Sequence, residues 1–181
     1  MLAAQGYDDY AELVDIIRKG RGALPMLPPA IAQDLHCFLR VLHSRYGEDL
    51  ISVVLFGSWA RGEARAESDI DLLVISKYFP RSRLDRHRHM FEAVKAVTKD
   101  FASRASIIPL TPEEASTTKP FYLGMLTAHA LLYDRDGFFA AILQRLEKRL
   151  AELGSERRVD KGGYEYWVLK PDFKAGEVIE L

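Results

Sequence analysis

The chain has 181 residues, 48% hydrophobic and 28% charged, the balance of a soluble globular protein long enough to bury its own core. Lys and Arg number 25 against 26 Asp and Glu, a formal charge of -1, which excludes a protein that coats nucleic acid or a membrane by bulk charge and leaves only a local patch for that work. The longest apolar run, Phe138 to Leu143, is far short of a membrane span, no export signal is visible at the first residues, and the single Cys37 excludes an intramolecular disulfide, so a cytoplasmic setting is expected. The absence of Asn beside abundant Arg and Glu fits a heat-adapted host, and equally a codon bias toward Arg and Ala.

In chain order, Tyr10, Leu13, Val14 and Ile17 repeat at the spacing of one helix face, and Tyr7 to Lys19 is predicted as a helix closed by Gly20. After Pro25, Pro28 and Pro29, the stripe Ile31, Leu35, Phe38, Leu42 and Tyr46 predicts a second helix that ends at Gly47. Leu50 to Phe56 and Asp69 to Ser76 are short, β-branched and apolar, and read as buried strands. Arg81 to Phe101 returns to helical spacing. Arg104 to Leu110 is a third strand, after which Thr111-Pro112-Glu113-Glu114 spells a helix start. Phe121 to Tyr133 reads as a short helix followed by a strand at Leu131 to Tyr133. Phe139, Ile142, Leu143, Leu146, Leu150 and Leu153 mark the clearest helix of the chain. The tail from Gly162 carries Tyr164, Tyr166 and Trp167 and is expected to be an irregular appendage with one short strand.

These elements predict an α/β (α+β) domain over residues 1–154, a small mixed β-sheet flanked by helices, with N-terminal helices, a core at about 50–136 and a short tail at 155–181.

The chemistry concentrates in residues 57–71. A buried strand ends at Gly57-Ser58, ten residues follow, and Asp69-Ile70-Asp71 opens the next strand. Alternate strand residues project to one face, so Asp69 and Asp71 present their carboxylates side by side. Two like charges so placed are costly without a cation between them, and an oxygen-only set suits Mg²⁺ together with substrate phosphates. Glycine at the corner after the strand permits close backbone approach, and free N–H groups in the following turn favour phosphate. Ser58 adds a hydroxyl, while Arg61 and Arg65 are positioned to neutralise a leaving pyrophosphate.

The run Gly57-Ser58, ten residues, Asp69-Ile70-Asp71, with Arg61-Gly62-Glu63-Ala64 and Ser68 between, resembles the signature of minimal nucleotidyltransferases in the DNA polymerase β-like superfamily. The resemblance extends in order of elements from Leu50 to Asp136. It implies transfer of a nucleoside monophosphate, AMP in the first instance, from a nucleoside triphosphate such as ATP to an acceptor hydroxyl, with one or two Mg²⁺ ions. By that resemblance Asp69 and Asp71 are the catalytic and metal-holding pair, and Gly57, Ser58, Arg61 and Ser68 belong to the triphosphate site. Some members are antitoxins that adenylylate a partner toxin of the HEPN type, and others modify antibiotics or extend RNA. A protein partner or a homo-oligomer is therefore expected, with no membrane and no long nucleic acid.

One departure stands out. The family carries a third carboxylate on a later core strand, and here the corresponding position on Arg104 to Leu110 is Ser106, a neutral side chain that is a poor base near pH 7. Asp100, Glu113 and Glu114 are the nearby acids, the last two explained as first-turn acids of a helix. This departure keeps a second reading open, a nucleotide-binding or antitoxin-type partner-binding module with impaired catalysis. Among weaker signals, His87 and His89 fall on different faces of a helix and read as solvated surface. The seven basic residues of 81–104 read as an outer helix face, Cys37 as a small core residue, and the aromatic tail as cover for a core or a dimer seam rather than a base-stacking platform.

Overall fold

The computed structural model describes residues 27–174 and 176–181. The predicted helix at Tyr7 to Lys19 lies outside the described residues. Helix α1 (Pro29–Tyr46) starts on Pro29, whose missing N–H costs nothing in the first turn, and ends at Gly47 with φ 48°. Its buried face carries Ile31, Leu35, Phe38, Leu39 and Leu42. A 3₁₀ turn leads into β1 (Leu50–Phe56), and a short helix α2 (Gly57–Arg61) follows directly. Then come β2 (Ile70–Ser76), α3 (Arg83–Lys95), α4 (Lys99–Arg104) and β3 (Ala105–Leu110). The short helices α5 (Pro112–Ser116) and α6 (Tyr122–Met125) precede β4 (Ala130–Asp134) and the long α7 (Phe138–Glu152). Strands β5 (Glu156–Val159) and β6 (Glu165–Val168) close the chain.

Four strands form one mixed sheet in the order β3-β2-β1-β4. β1 pairs antiparallel with both β2 and β4, and β3 pairs parallel with β2. The central pair is buried on both faces, which is why β1 and β2 read as continuous apolar runs rather than alternating ones. Ile70, Leu72 and Val74 of β2 face a cluster with α1, Met90 and Val94 of α3, and Phe101 of α4. Leu73 and Ile75 face the other layer, where Tyr122, Phe139, Ile142 and Leu146 of α6 and α7 pack. The sheet flanked by helices is the expected fold class, and the odd-numbered face of β2 points Asp71 toward the α7 side.

Three expectations need correction. Arg81 to Phe101 is two helices, because Thr98 caps a new one: its hydroxyl accepts from Phe101 N–H at 3.1 Å and donates to the buried Asp34 carboxylate at 3.2 Å. The region after Gly154 contains a two-stranded hairpin, β5 with β6, rather than one short strand. Trp167 and Leu169 pack on the second cluster, while Tyr164 and Tyr166 stay exposed at 76% and 47%. Cys37 is only half-buried, at the rim of α1 rather than in the core. His87 lies exposed on α3, and His89 is half-buried against the ring of Tyr78.

Helix α7 owes its start to tertiary placement. Asp134 at the end of β4 accepts from Phe139 N–H at 2.9 Å and Ala140 N–H at 3.0 Å, satisfying donors that Gly137 has no side chain to cap. Ser52 of β1 donates to the same carboxylate at 2.6 Å. Among the described residues no helix is long and apolar enough to cross a membrane.

Candidate active site

The site forms where β1 turns into α2 and β2 begins. Gly57 adopts φ +74°, a conformation that side-chain-bearing residues rarely take. The reason is the neighbour: a Cβ on Gly57 would lie 2.1 Å from Asp71 Oδ2. The backbone corner and the carboxylate therefore touch, and only glycine leaves room. Helix α2 ends after Arg61 at Gly62, again left-handed at φ 75°, whose N–H donates to the carbonyls of Ser58 and Trp59. Ser58 stands half-exposed in the first turn of α2, beside this corner.

The loop that carries Asp69 is pinned through the backbone of Ser68. Its carbonyl accepts from Trp59 Nε1 at 3.3 Å and from Arg104 Nε and Nη2 at 3.2 and 3.0 Å. Its hydroxyl accepts from Arg65 N–H at 2.8 Å. The Arg104 guanidinium also lies 5.5 Å from the Trp59 ring and pairs with Asp100 at 3.0 Å. Ser68 thus spends its polar groups on holding the loop, and the hydroxyl is occupied by Arg65 N–H. Trp59 and Arg104 are the residues that reading the sequence missed. A Trp directly after Gly57-Ser58 was the available signal for the first; for the second there was none, because it acts across 36 positions of chain.

Asp69 is exposed and Asp71 half-buried. Burial pushes the Asp71 carboxyl above the usual carboxylate range. A hydrogen bond from the Ser106 hydroxyl offsets part of this, the Asp69 charge raises it further, and Arg61 lowers it. The donors on this face are all oxygens, which fits a hard divalent ion such as Mg²⁺. Among the described residues no group of three or more His, Cys, Asp or Glu converges as a metal cage, so substrate oxygens and water have to complete any coordination sphere.

Arg61 is exposed at the rim and donates to Glu63 Oε2 at 2.7 Å, so binding an anion there means exchanging one carboxylate for another. Arg65 is exposed beside it. Glu113 and Glu114 stand at the far end of β3 in a capping box: Glu114 accepts from Thr111 N–H at 3.0 Å and pairs with the buried Arg86. They serve α5 and the α3–α5 contact. Ser106 lies level with Asp71 in the parallel β2–β3 ladder, on the same face.

Comparison with known proteins gives the family of the chain. Residues 37–122 match the family model described as a nucleotidyltransferase domain. A Methanocaldococcus jannaschii protein named as a proposed protein adenylyltransferase is 39% identical over 112 residues, covering 61% of this chain and 76% of that relative. A second protein of the same organism and description is 45% identical over 38 residues, 21% of this chain and 38% of its own length. The chain belongs to the nucleotidyltransferase-domain family. Among solved structures, a toxin–antitoxin crystal structure with AMP-PNP is 16% identical with a TM-score of 0.42, covering 65% of this chain and 90% of that one. A Sulfolobus solfataricus protein described as a proposed nucleotidyltransferase is 21% identical with a TM-score of 0.38, covering 65% of this chain and 94% of that one.

Proposed function

We propose that this chain transfers a nucleoside monophosphate, AMP from ATP, to a hydroxyl group of a protein acceptor, with Mg²⁺. The observation that carries the reading is Asp71 set against the Gly57 corner, with Asp69 two residues before it at the entry to β2, in a member of the nucleotidyltransferase-domain family. The protein acceptor is taken from the name of the Methanocaldococcus relative.

In this mechanism the chain supplies positions and charges. Asp69 and Asp71 are the residues that would hold the metal. When bound, the divalent ion neutralises charge on the phosphates and steadies the leaving group. The Gly57 corner and Ser58 lie along the triphosphate, where the absence of a side chain at 57 lets backbone approach phosphate oxygens. Arg61, released from Glu63, faces the β and γ phosphates. The acceptor hydroxyl oxygen attacks the α-phosphorus, the bond from that phosphorus to the bridging oxygen breaks, pyrophosphate leaves, and the hydroxyl proton passes to solvent. Ser68 acts through the backbone, by fixing where Asp69 begins. A HEPN-type toxin is one acceptor class that the family resemblance nominates.

The first test is thermal unfolding with each of the four nucleoside triphosphates, with and without Mg²⁺, for the wild type and Asp71→Asn. A ligand at about 100 times its Kd adds roughly 2.7 kcal/mol. A shift that requires both Mg²⁺ and Asp71, followed by label from α-labelled ATP appearing on a protein acceptor, supports the reading. Binding without any turnover on acceptors from the host supports instead a nucleotide-binding, partner-holding module, which the neutral Ser106 beside Asp71 favours.

A further inference from the structure

We infer that Ser106 makes this a single-ion site: Asp69 and Asp71 hold one divalent cation, shared with the triphosphate, and the place beside them where a second cation would need an anionic ligand holds a neutral hydroxyl. The inference rests on the nucleotide-site reading above and adds to it how many metal ions the site retains.

The geometry comes from the ladder. Asp71 and Ser106 are direct partners in the parallel pairing of β2 with β3. Parallel neighbours lie about 4.8 Å apart, and partners project to the same side of the sheet. Leu73 and Ile75 of β2, and Ile108 and Leu110 of β3, all pack on the α7-side cluster, so Asp71 and Ser106 share that face. A carboxylate at 106 would stand beside Asp71 with nothing between them. Ser106 is also exposed, so the position is open to solvent and to substrate rather than filled by core packing. The position beside Asp71 is therefore occupied by a neutral hydroxyl side chain.

Charge counting then decides the ion number. Two divalent cations at the separation used in two-metal phosphoryl chemistry, about 3.5–4 Å, repel with four times the energy of two unit charges and persist only where carboxylates bridge and flank them. Here two carboxylates are grouped, and Asp100 and Glu114 are engaged elsewhere in the fold. Asp100 pairs with Arg104, and Glu114 with Arg86 and the Thr111 backbone, while Glu63 and Glu67 are exposed in the loop between α2 and β2. Among the described residues no third His, Cys, Asp or Glu joins the pair. One carboxylate pair, waters and phosphate oxygens are the usual shell of a single Mg²⁺. Ser106 is a neighbour of Asp71 in the ladder, while the Gly57 corner lies against the Asp71 carboxylate.

The test counts ions directly. Mn²⁺ is titrated into the full chain with one equivalent of a non-hydrolysable α,β-methylene ATP analogue, and bound Mn²⁺ is measured by electron paramagnetic resonance. The wild type is expected to retain one Mn²⁺ per chain with an uncoupled signal. Ser106→Asp is expected to retain two, with the broadened signal of a coupled pair, and Ser106→Ala one, at several-fold weaker affinity. Circular dichroism confirms that each variant is folded, and Ser106→Glu provides a second acid should Asp not be tolerated. Two Mn²⁺ ions in the wild type, or one in both acidic variants, overturns the inference. No Mn²⁺ retained with the nucleotide by any variant removes the nucleotide-site reading itself, and the inference falls with it.

Discussion

Gly57 and Asp71 form one contact that neither could make with another partner. The glycine sits at φ +74° and the space where its Cβ would be is filled by Asp71 Oδ2, 2.1 Å from that point. The strand-to-helix corner and the start of β2 are thus fitted to each other.

Gly57→Ala is therefore expected to cost more than the strain of a left-handed alanine, which alone is about 1–3 kcal/mol. Asp71→Ala removes the obstacle, so the double variant should be more stable than the two single losses added together. A cycle of urea denaturation midpoints checks this. Additive losses would mean that the backbone corner relaxes freely and that the contact is unimportant.

Asp71→Asn should abolish nucleotide transfer while raising stability of the metal-free chain. The folded state holds the Asp71 carboxyl above its unfolded value, through burial first and the Asp69 charge as a further cause. A raised carboxyl contributes stability below its unfolded pKa and loses it as pH rises through the folded value. The gain from Asn should thus be larger at pH 7 than at pH 4 in melts with a chelator present. A variant that is less stable at pH 7 would contradict this account.

Acid should weaken the fold through His43. Burial, and then the Arg135 charge, hold this imidazole below its ordinary value of 6.5, against a smaller opposing effect of Glu48. Its ring lies edge-on to Tyr133 at 4.6 Å. A depressed imidazole favours the neutral form in the folded state, so the stability it contributes is present above pH 6.5 and declines as pH falls from there to its folded pKa. His43→Phe keeps a ring against Tyr133 and should flatten the slope below pH 6.5 in denaturant titrations. An unchanged slope would place the titrating group elsewhere.

Arg104→Lys should weaken triphosphate binding several-fold at a stability cost of about 1 kcal/mol. Lysine keeps the charge toward Asp100 but cannot place two N–H groups on the Ser68 carbonyl, as Arg104 does at 3.2 and 3.0 Å. The loop before Asp69 is then held by Trp59 alone on that carbonyl. Calorimetric titration of nucleotide with Mg²⁺, beside a thermal melt, separates the two effects. Equal affinity in the variant would show that Asp69 finds its place without the fork.

Much of the fold was legible because its signals are local. β1 and β2 are apolar runs bounded by Gly47, Gly57 and Lys77, and α5 announces itself by Thr111-Pro112-Glu113-Glu114. The hairpin of β5 with β6 was not legible, since Glu156, Arg157 and Arg158 are exposed and charged and alternate with nothing buried. It is held by cross-strand pairing, including the Arg157–Glu165 ion pair. The break between α3 and α4 was hidden for a similar reason, because Thr98 acts as a cap while also bonding Asp34 of α1.

By itself, the sequence marked the segment 57–71 and its residue set: a glycine corner, a hydroxyl, two arginines and two alternate carboxylates, all within fifteen residues. Only the tertiary structure decided that Asp71 presses on Gly57, that Ser106 stands beside Asp71 in the next strand, and that Arg104 holds Ser68. Those relationships depend on sheet register and on which helix lies over which strand. Both are set by burial of the whole core, and no local run of residues contains them.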